Sequence, residues 1–476
     1  MKKQTKSGMH LTRLALAMAF TLPLMAQANG LEGSQVGVGS TYDFKTCVET
    51  TLNQNPEISV SSARIEQAQS ALREANGGRM PQITASFTAS NSNNALNVFG
   101  MKLQQRQATF GDFGFSQFDP INGTDLATRP HDLNEPGSHS DFNTRIEMLL
   151  PIYNGGQVSS YQNQAKAMIK AAQSGDIAVK QYLTFNVYQA YEAVHTARSF
   201  IEVAEKGTLA ADSYVKTTSN LVEQGILVRS ELLSAQVNQS NAQMQLEKAR
   251  NQETIALESL RMLMALDGSE QFEIGERVDI KLPAGSTEEL VTMALANNPQ
   301  IEAKRGEVTS SFAAVDASRA GLYPSVNLMA RTDWNDERLG FESNSYTVAG
   351  VVSWKITDFG MTSSGIDKAN AAAKVKESEL RSKQNQLRLE VITAWHKLDI
   401  ASKQVTVNLQ AQEQADEAQR LVLKRYNNGV ATITEVLAGQ ALLDKARAEV
   451  VSAQFERNVQ AASLRLNTGT MTLAEM

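Results

Sequence analysis

The sequence predicts an α+β chain made of two copies of one unit, each a short helical element, a hairpin of β-strands and a long helical hairpin. Motifs recur in the same order. Leu52-Asn53-Gln54-Asn55-Pro56-Glu57-Ile58 returns as Leu295-Ala296-Asn297-Asn298-Pro299-Gln300-Ile301, and Pro81 as Pro324, at the offset of 243 that separates Asn55 from Asn298. Further along, Ile152-Tyr153-Asn154-Gly155-Gly156 corresponds to Ile356-Thr357-Asp358-Phe359-Gly360, Glu223-Gln224-Gly225 to Asn427-Asn428-Gly429, and Glu231-Leu232-Leu233 to Glu435-Val436-Leu437. All three share the offset of 204 that separates Gly225 from Gly429. Fixed internal spacing in two copies points to a pseudo-symmetric architecture. Proline supplies a second observation: all 10 prolines lie at or before Pro324, with none between Pro151 and Pro283. Because an interior proline costs a helix about 3 kcal/mol, the two proline-free tracts, rich in Ala, Gln, Glu, Leu and Lys, suit long helices. Third, the stretch before each tract switches to a period of two, the mark of a strand.

Residues 1–28 read as a secretory signal, with Lys2, Lys3, Lys6 and Arg13 ahead of an apolar run and Ala26-Gln27-Ala28 as the cleavage box. The mature chain is then expected to start near Asn29, and loss of those four cations takes the formal net charge from −6 to −10. So acidic a chain argues against nucleic acid as a partner. Cys47 is the one cysteine, so no intrachain disulfide can form, and its distance from the cleavage box argues against a lipid anchor. The first repeat is placed at 29–285 and the second at 286–476.

In the first repeat Ile83, Ala85, Phe87 and Ala89 alternate with Thr84, Ser86, Thr88 and Ser90, and Ile146, Met148 and Leu150 with Arg145, Glu147 and Leu149. In the second, Val326, Leu328 and Ala330 alternate with Asn327, Met329 and Arg331, and Tyr346, Val348, Gly350, Val352 and Trp354 with Thr347, Ala349, Val351, Ser353 and Lys355. These runs approach the roughly 9–11 residues of a membrane strand, whereas nothing after the signal offers the roughly 20 consecutive apolar residues of a membrane helix. Four strands cannot close a barrel, and open edges cannot stand in lipid. Strands that cross a membrane would therefore require several chains, and three would supply twelve strands. A small soluble sheet flanked by coiled coil is the alternative.

The two offsets differ by 39 residues, which fall in the loop of the first hairpin, at about 96–140. Phe99, Phe110, Phe113, Phe115 and Phe118 are followed there by the turn pairs Asp119-Pro120, Asn122-Gly123 and Pro136-Gly137. A long loop on the side opposite the helices is expected, outside the cell. The rods Gln157–Glu223 and Met361–Asn427 hold 67 residues each, on the order of 100 Å of helix. Each ends at a glycine suited to a left-handed C-cap, Gly225 or Gly429, followed by Ile226 or Val430. The next helix is expected to be capped by Ser230 or Thr434, with Glu231 or Glu435 favouring its dipole. Leu443, Ala446, Val450 and Ala453 then form a seam at coiled-coil spacing, which plain packing explains.

The duplicated Asn-Pro element, the strand end Pro151-Ile152-Tyr153-Asn154-Gly155-Gly156, and the tips Glu223-Gln224-Gly225 and Tyr426-Asn427-Asn428-Gly429 resemble the TolC-like outer-membrane efflux proteins over nearly the whole chain. The resemblance implies an α+β membrane protein of the Gram-negative outer membrane, embedded in its lipid. It implies a homotrimer whose twelve-stranded β-barrel, four strands per chain, continues as a long periplasmic α-helical barrel. The implied activity is passive export of substrates delivered by an inner-membrane pump of the RND or ABC type through a periplasmic adaptor. Drug or small-molecule efflux stands first, with type I protein secretion or metal-ion efflux as alternatives. A non-conducting periplasmic coiled-coil structural or adhesive protein is the reading from another class.

By the same resemblance Tyr426 matches the tyrosine of the family's gating link, Ser230 and Glu231 its hydroxyl and acidic partners, and Glu435 the first acidic ring of the bore. Gly225, Ile226, Gly429 and Val430 stand at the tips where an adaptor would dock. Ala431 and Ala438 replace a gating arginine and a second aspartate of the best-known member, so the closed state must rest on other contacts, with Arg229 as the candidate nearby in sequence. Helix capping is the alternative role of Glu231 and Glu435. No catalytic residue, cofactor or metal is expected: His195 and His396 sit singly in helices, and His131 and His139 with Asp132, Glu135 and Asp141 fit no standard ligand spacing.

Overall fold

The computed structural model describes residues 41–123, 127–268, 272–281 and 285–473, so the expected signal at 1–28 lies outside the described residues. In chain order the elements are β1 (Thr41–Tyr42), α1 (Phe44–Gln54), α2 (Pro56–Gly77), β2 (Gln82–Ser92), α3 (Ala95–Gln104), α4 (His131–Asn134), β3 (His139–Asn154), α5 (Gln157–Glu223), α6 (Arg229–Met264), β4 (Glu273–Ile274), α7 (Thr287–Asn297), α8 (Pro299–Arg319), β5 (Ser325–Asp336), β6 (Asn344–Ser353), α9 (Met361–Asn427) and α10 (Ile433–Thr468).

Helices α5 and α9 have 67 residues each, with the bounds the sequence predicts, and the returning α6 and α10 have 36 each. At about 1.5 Å per residue the return helices cover only the tip-side half of the rods. The other half is covered by α2 and α8, which pack on α5, and α8 also on α9. The short helical element of each repeat is a pair of helices broken at the Asn-Pro motif, and the break is a welded joint. Asn55 Oδ1 accepts the Glu57 N–H at 2.9 Å while Nδ2 donates to the Leu263 carbonyl at 2.9 Å. Asn298 does the same with Gln300 N–H at 2.9 Å and the Asn467 carbonyl at 3.0 Å. Proline at the first helical position costs nothing, since its missing N–H would be unpaired there anyway. One asparagine thus caps a helix and ties it to the end of a return helix.

Around this joint lies the main core, where Cys47, Val48, Val187, Tyr188, Tyr191 and Leu260 pack together at the middle of α5. The parallel pair β1–β4, which the sequence did not signal, wraps the same level. Glu192 is buried there and held by Arg277 Nη2 at 2.6 Å and Asn458 Nδ2 at 2.7 Å. The seam residues Leu443, Ala446, Val450 and Ala453 are all buried.

The larger sheet is antiparallel throughout, in the order β2-β3-β5-β6, so the two hairpins lie side by side and β2 and β6 are its edges. Gly155 closes the end of β3 with φ 65°; a Cβ there would stand 2.4 Å from the Ala320 carbonyl oxygen, which excludes any side chain. Two sequence expectations need correction. The N-caps after the tips are Val228 and Thr432, not Ser230 and Thr434. The segment 96–140 is not a plain loop: it carries α3, two 3₁₀ turns (Phe110–Phe113 and Phe115–Gln117) and α4, and its last two residues belong to β3.

Candidate functional site

Two surfaces carry the functional geometry, the helical tips and the two faces of the sheet. At each tip a glycine adopts the left-handed conformation, Gly225 at φ 76° and Gly429 at φ 70°. Ile226 and Val430 next to them donate backwards to the Leu221 and Arg425 carbonyls, both at 2.9 Å, which closes the helix end and leaves their side chains exposed.

Behind the turns the helices are joined by a cluster of Tyr214, Tyr426, Ile433 and Val436. Tyr426 is 2% exposed, and its hydroxyl shares a 2.9 Å hydrogen bond with Thr218 Oγ1, on α5. One layer further from the tip, Tyr214 donates to Gln440 Oε1 at 2.8 Å and accepts from Gln419 Nε2 at 2.9 Å. Gln440 in turn donates to Asp444 Oδ1 at 2.8 Å, and Arg447 links Asp444 to Asp416. Burial pushes both the Asp444 carboxyl and the Tyr214 hydroxyl above their ordinary pKa values. This network, buried at Tyr214, Gln419 and Gln440 and drawn from α5, α9 and α10, has no local sequence signature, and sequence reasoning missed it.

The expected gating residues are placed as follows. Ser230 and Arg229 are exposed at the start of α6. Glu231 is half-buried, with Oε2 enclosed and without a hydrogen-bond partner. Within one chain the hydroxyl partner of Tyr426 is Thr218, and the structure does not bring Tyr426 together with Ser230 or Glu231. Glu435 forms a capping box: its Oε1 accepts the Thr432 N–H at 3.2 Å, and Thr432 Oγ1 accepts the Glu435 N–H at 3.3 Å. The cation beside Glu435 is Arg425, 3.6 Å away, a residue the sequence does not single out.

The sheet separates its residues by chemistry. In register, Ile83 faces Met148, Met148 faces Ala330 and Ala330 faces Val348, so one face is an apolar band across all four strands. It is uncovered: Ile83 is 71% exposed. The opposite face is polar, with Arg145 Nε donating to Asp333 Oδ1 at 2.6 Å, Arg331 3.4 Å from Asp333 Oδ2, and Asn143 donating to Asn335 at 2.7 Å. Apolar-out, polar-in alternation is what a membrane barrel requires. Among the described residues, no helix is long and apolar enough to cross a membrane. The residues weighed as a metal site are divided: His131 lies 3.5 Å from both Asp132 and Glu135, whereas His139 bonds Gln105 at 2.7 Å.

The sequence pattern of outer membrane efflux proteins matches residues 47–266 and 290–470. The chain belongs to the outer membrane efflux protein family. Among relatives of this efflux protein, the cobalt-zinc-cadmium resistance protein CzcC of Cupriavidus metallidurans is 29% identical over 252 residues, covering 50% of this chain and 57% of CzcC. The outer membrane efflux protein BepC of Brucella suis is 23% identical over 341 residues, covering 70% of this chain and 73% of BepC. The solved structure of the transmembrane channel CusC matches 90% of this chain and 92% of its own with a TM-score of 0.74 at 16% identity, a likeness of fold. The protein is an outer-membrane component of the efflux and secretion type, and its relatives are channels rather than enzymes.

Proposed function

We propose that this efflux protein is the outer-membrane exit duct of a tripartite export system, conducting passively what an inner-membrane pump delivers through a periplasmic adaptor. The observation that carries this reading is the four-stranded sheet with one apolar face, one polar face and two unpaired edges. An open edge in lipid leaves backbone groups unpaired, each at a cost of several kcal/mol, so closure of β6 of one copy on β2 of the next is the way such a sheet is stabilised. Three copies give a twelve-stranded barrel with Arg145, Asp333 and Asn143 lining the bore, continued into the periplasm by α5, α6, α9 and α10. The tips present Gly225, Ile226, Gly429 and Val430 to an adaptor, and the pump behind it is of the RND or ABC type. Tyr426, Ser230, Glu231, Arg229 and Glu435 hold or line the narrow periplasmic end.

Drugs or other small molecules are the proposed cargo, with metal ions or type I secreted proteins as alternatives; the metal reading draws on the resistance for which CzcC is named. Purified protein in detergent should have the mass of a trimer by light scattering and form ion-conducting channels in planar bilayers. A monodisperse monomer that forms no channel would refute the duct, and would leave a periplasmic coiled-coil protein as the better reading.

A further inference from the structure

The described residues of the insert that lengthens the first hairpin form a small folded body. Asn94 caps α3; Phe99 stacks edge-on against Phe113 at 4.8 Å; Lys102 pairs with Asp112 at 2.5 Å. The last contact, with the Thr109 N–H, holds the Asp112 carboxyl down to about 2. A surface loop free to wave has no need of such bonds. The body is also anchored to the sheet, and the side on which it is anchored is informative. Gln105, 2% exposed, donates to Asp141 Oδ1 at 3.1 Å and to the Ser140 carbonyl at 2.9 Å, and its Oε1 meets His139 Nε2 at 2.7 Å. Ser343, in the other hairpin, donates through Oγ to the Gln105 carbonyl at 2.8 Å, and the Arg106 guanidinium reaches the Asn344 carbonyl. His139 and Asp141 continue the alternating row of Asn143 and Arg145, so they belong to the polar face. The insert therefore folds over the outer end of the polar face and leaves the apolar band bare.

We infer that this insert is a fixed lid at the outer mouth of the duct, which limits by size what passes between the bore and the exterior. The inference rests on the proposed trimer, in which the polar face lines the bore. Three inserts would lean inward over that bore, latched at Gln105 and Ser343. Phe110 and Phe115, which stack on each other and are largely exposed, would meet their counterparts from the other copies. Transport cut-offs follow the narrowest section of a pore, so the insert becomes a specificity element of the outer end.

The native thiol is silent in a labelling test, since Cys47 is fully buried and its pKa is raised to about 12. Ser86→Cys places a reporter on the polar face opposite Arg145, below the lid, and Ile121→Cys places one on the exposed insert. Intact cells are treated with a small maleimide and with the same maleimide on a bulky polymer. The lid predicts that Ile121→Cys reacts with both, that Ser86→Cys loses labelling by the bulky reagent, and that adding Gln105→Ala with Ser343→Ala restores it. Replacing residues 107–118 by a short Gly-Ser link should restore it too, which covers the case of an unlatched variant that fails to assemble. Bulky labelling of Ser86→Cys in the otherwise unaltered protein overturns the lid. So does continued exclusion of the bulky reagent after both changes while the small reagent still reacts. If neither reagent reaches Ser86→Cys in any background, the polar face is not a bore and the duct reading itself falls.

Discussion

Tyr426→Phe removes one hydroxyl and leaves the ring in its cluster. Its partner Thr218 is wholly buried (0% exposed), so the threonine oxygen loses its 2.9 Å bond to Tyr426. An orphaned buried polar group costs about 1–3 kcal/mol, whereas truncating the ring to alanine would add a cavity and cost roughly 3–5 kcal/mol. Thr218→Val should cost a similar 1–3 kcal/mol from the other side, and the double variant, with apolar groups at both positions, should recover much of the loss. Thermal unfolding followed by far-ultraviolet circular dichroism, read beside single-channel conductance, checks both halves of the reasoning. If the bond holds the tip closed, conductance rises in each single variant and falls back in the double. Single variants that shift stability by less than about 0.5 kcal/mol would refute the accounting of the buried pair. Loss of stability with conductance unchanged would make Tyr426 a core residue and end its gating assignment.

Glu435→Gln keeps an acceptor for the Thr432 N–H and gives up only an exposed pair with Arg425, so stability should change by less than about 1 kcal/mol while cation selectivity drops; reversal potentials in a salt gradient that match the unaltered protein would remove the acidic ring. Asn298→Ser keeps a helix cap but is too short to donate to the Asn467 carbonyl, so it should cost more than a cap-neutral change and less than Asn298→Ala, which loses a cap of about 1 kcal/mol as well; equal melting temperatures for the two would refute the double role. Burial, together with Arg277 and Arg198, lowers the pKa of His195 from its ordinary 6.5 to about 4. The unfolded chain then binds the extra proton between those values, so the His195 contribution is complete above pH 6.5 and is lost as pH falls toward about 4. His195→Gln should flatten the fall in unfolding midpoint over that window.

The helices were legible because their ends carry backbone chemistry that sequence displays: glycines at both tips and at the starts of α5 and α9, and Asn-Pro at the welded joints. The strands were legible because one face of the sheet is apolar and the other polar, which writes a period of two into Ile83 to Ser90. The displaced N-caps have separate causes. Thr432-x-x-Glu435 is a capping box that the sequence does show and that Thr434, the nearer neighbour of Glu435, obscured. Val228 caps α6 with no side-chain bond at all, so it leaves no signal. Gln105, Gln419 and Gln440 escaped notice for a third reason: an amide becomes informative only when the fold buries it, and their partners lie in distant segments of the chain.

The size of the tip contact bears on how an adaptor could open the duct. A coupling of 1–3 kcal/mol corresponds to a factor of about 5–150 in an equilibrium, and a docked partner can shift the closed-to-open ratio only by its own differential affinity for the two states. A hydroxyl pair such as Tyr426 with Thr218 lies within that reach. The main core around Tyr188 and Leu260 does not, since losing one such buried side chain costs several kcal/mol. Opening on the proposed reading is therefore confined to the stretch between that core and the tips. This is the stretch in which α6 and α10 run beside α5 and α9 over an alanine-rich seam. Small residues there interlock less than large ones would, so neighbouring helices can shift without first breaking a packed layer. An adaptor seated on Ile226 and Val430 would push at the far end of two long hairpins whose other ends are fixed by Asn55 and Asn298. On the proposed reading, rotation about those joints is the motion that would separate Tyr426 from Thr218.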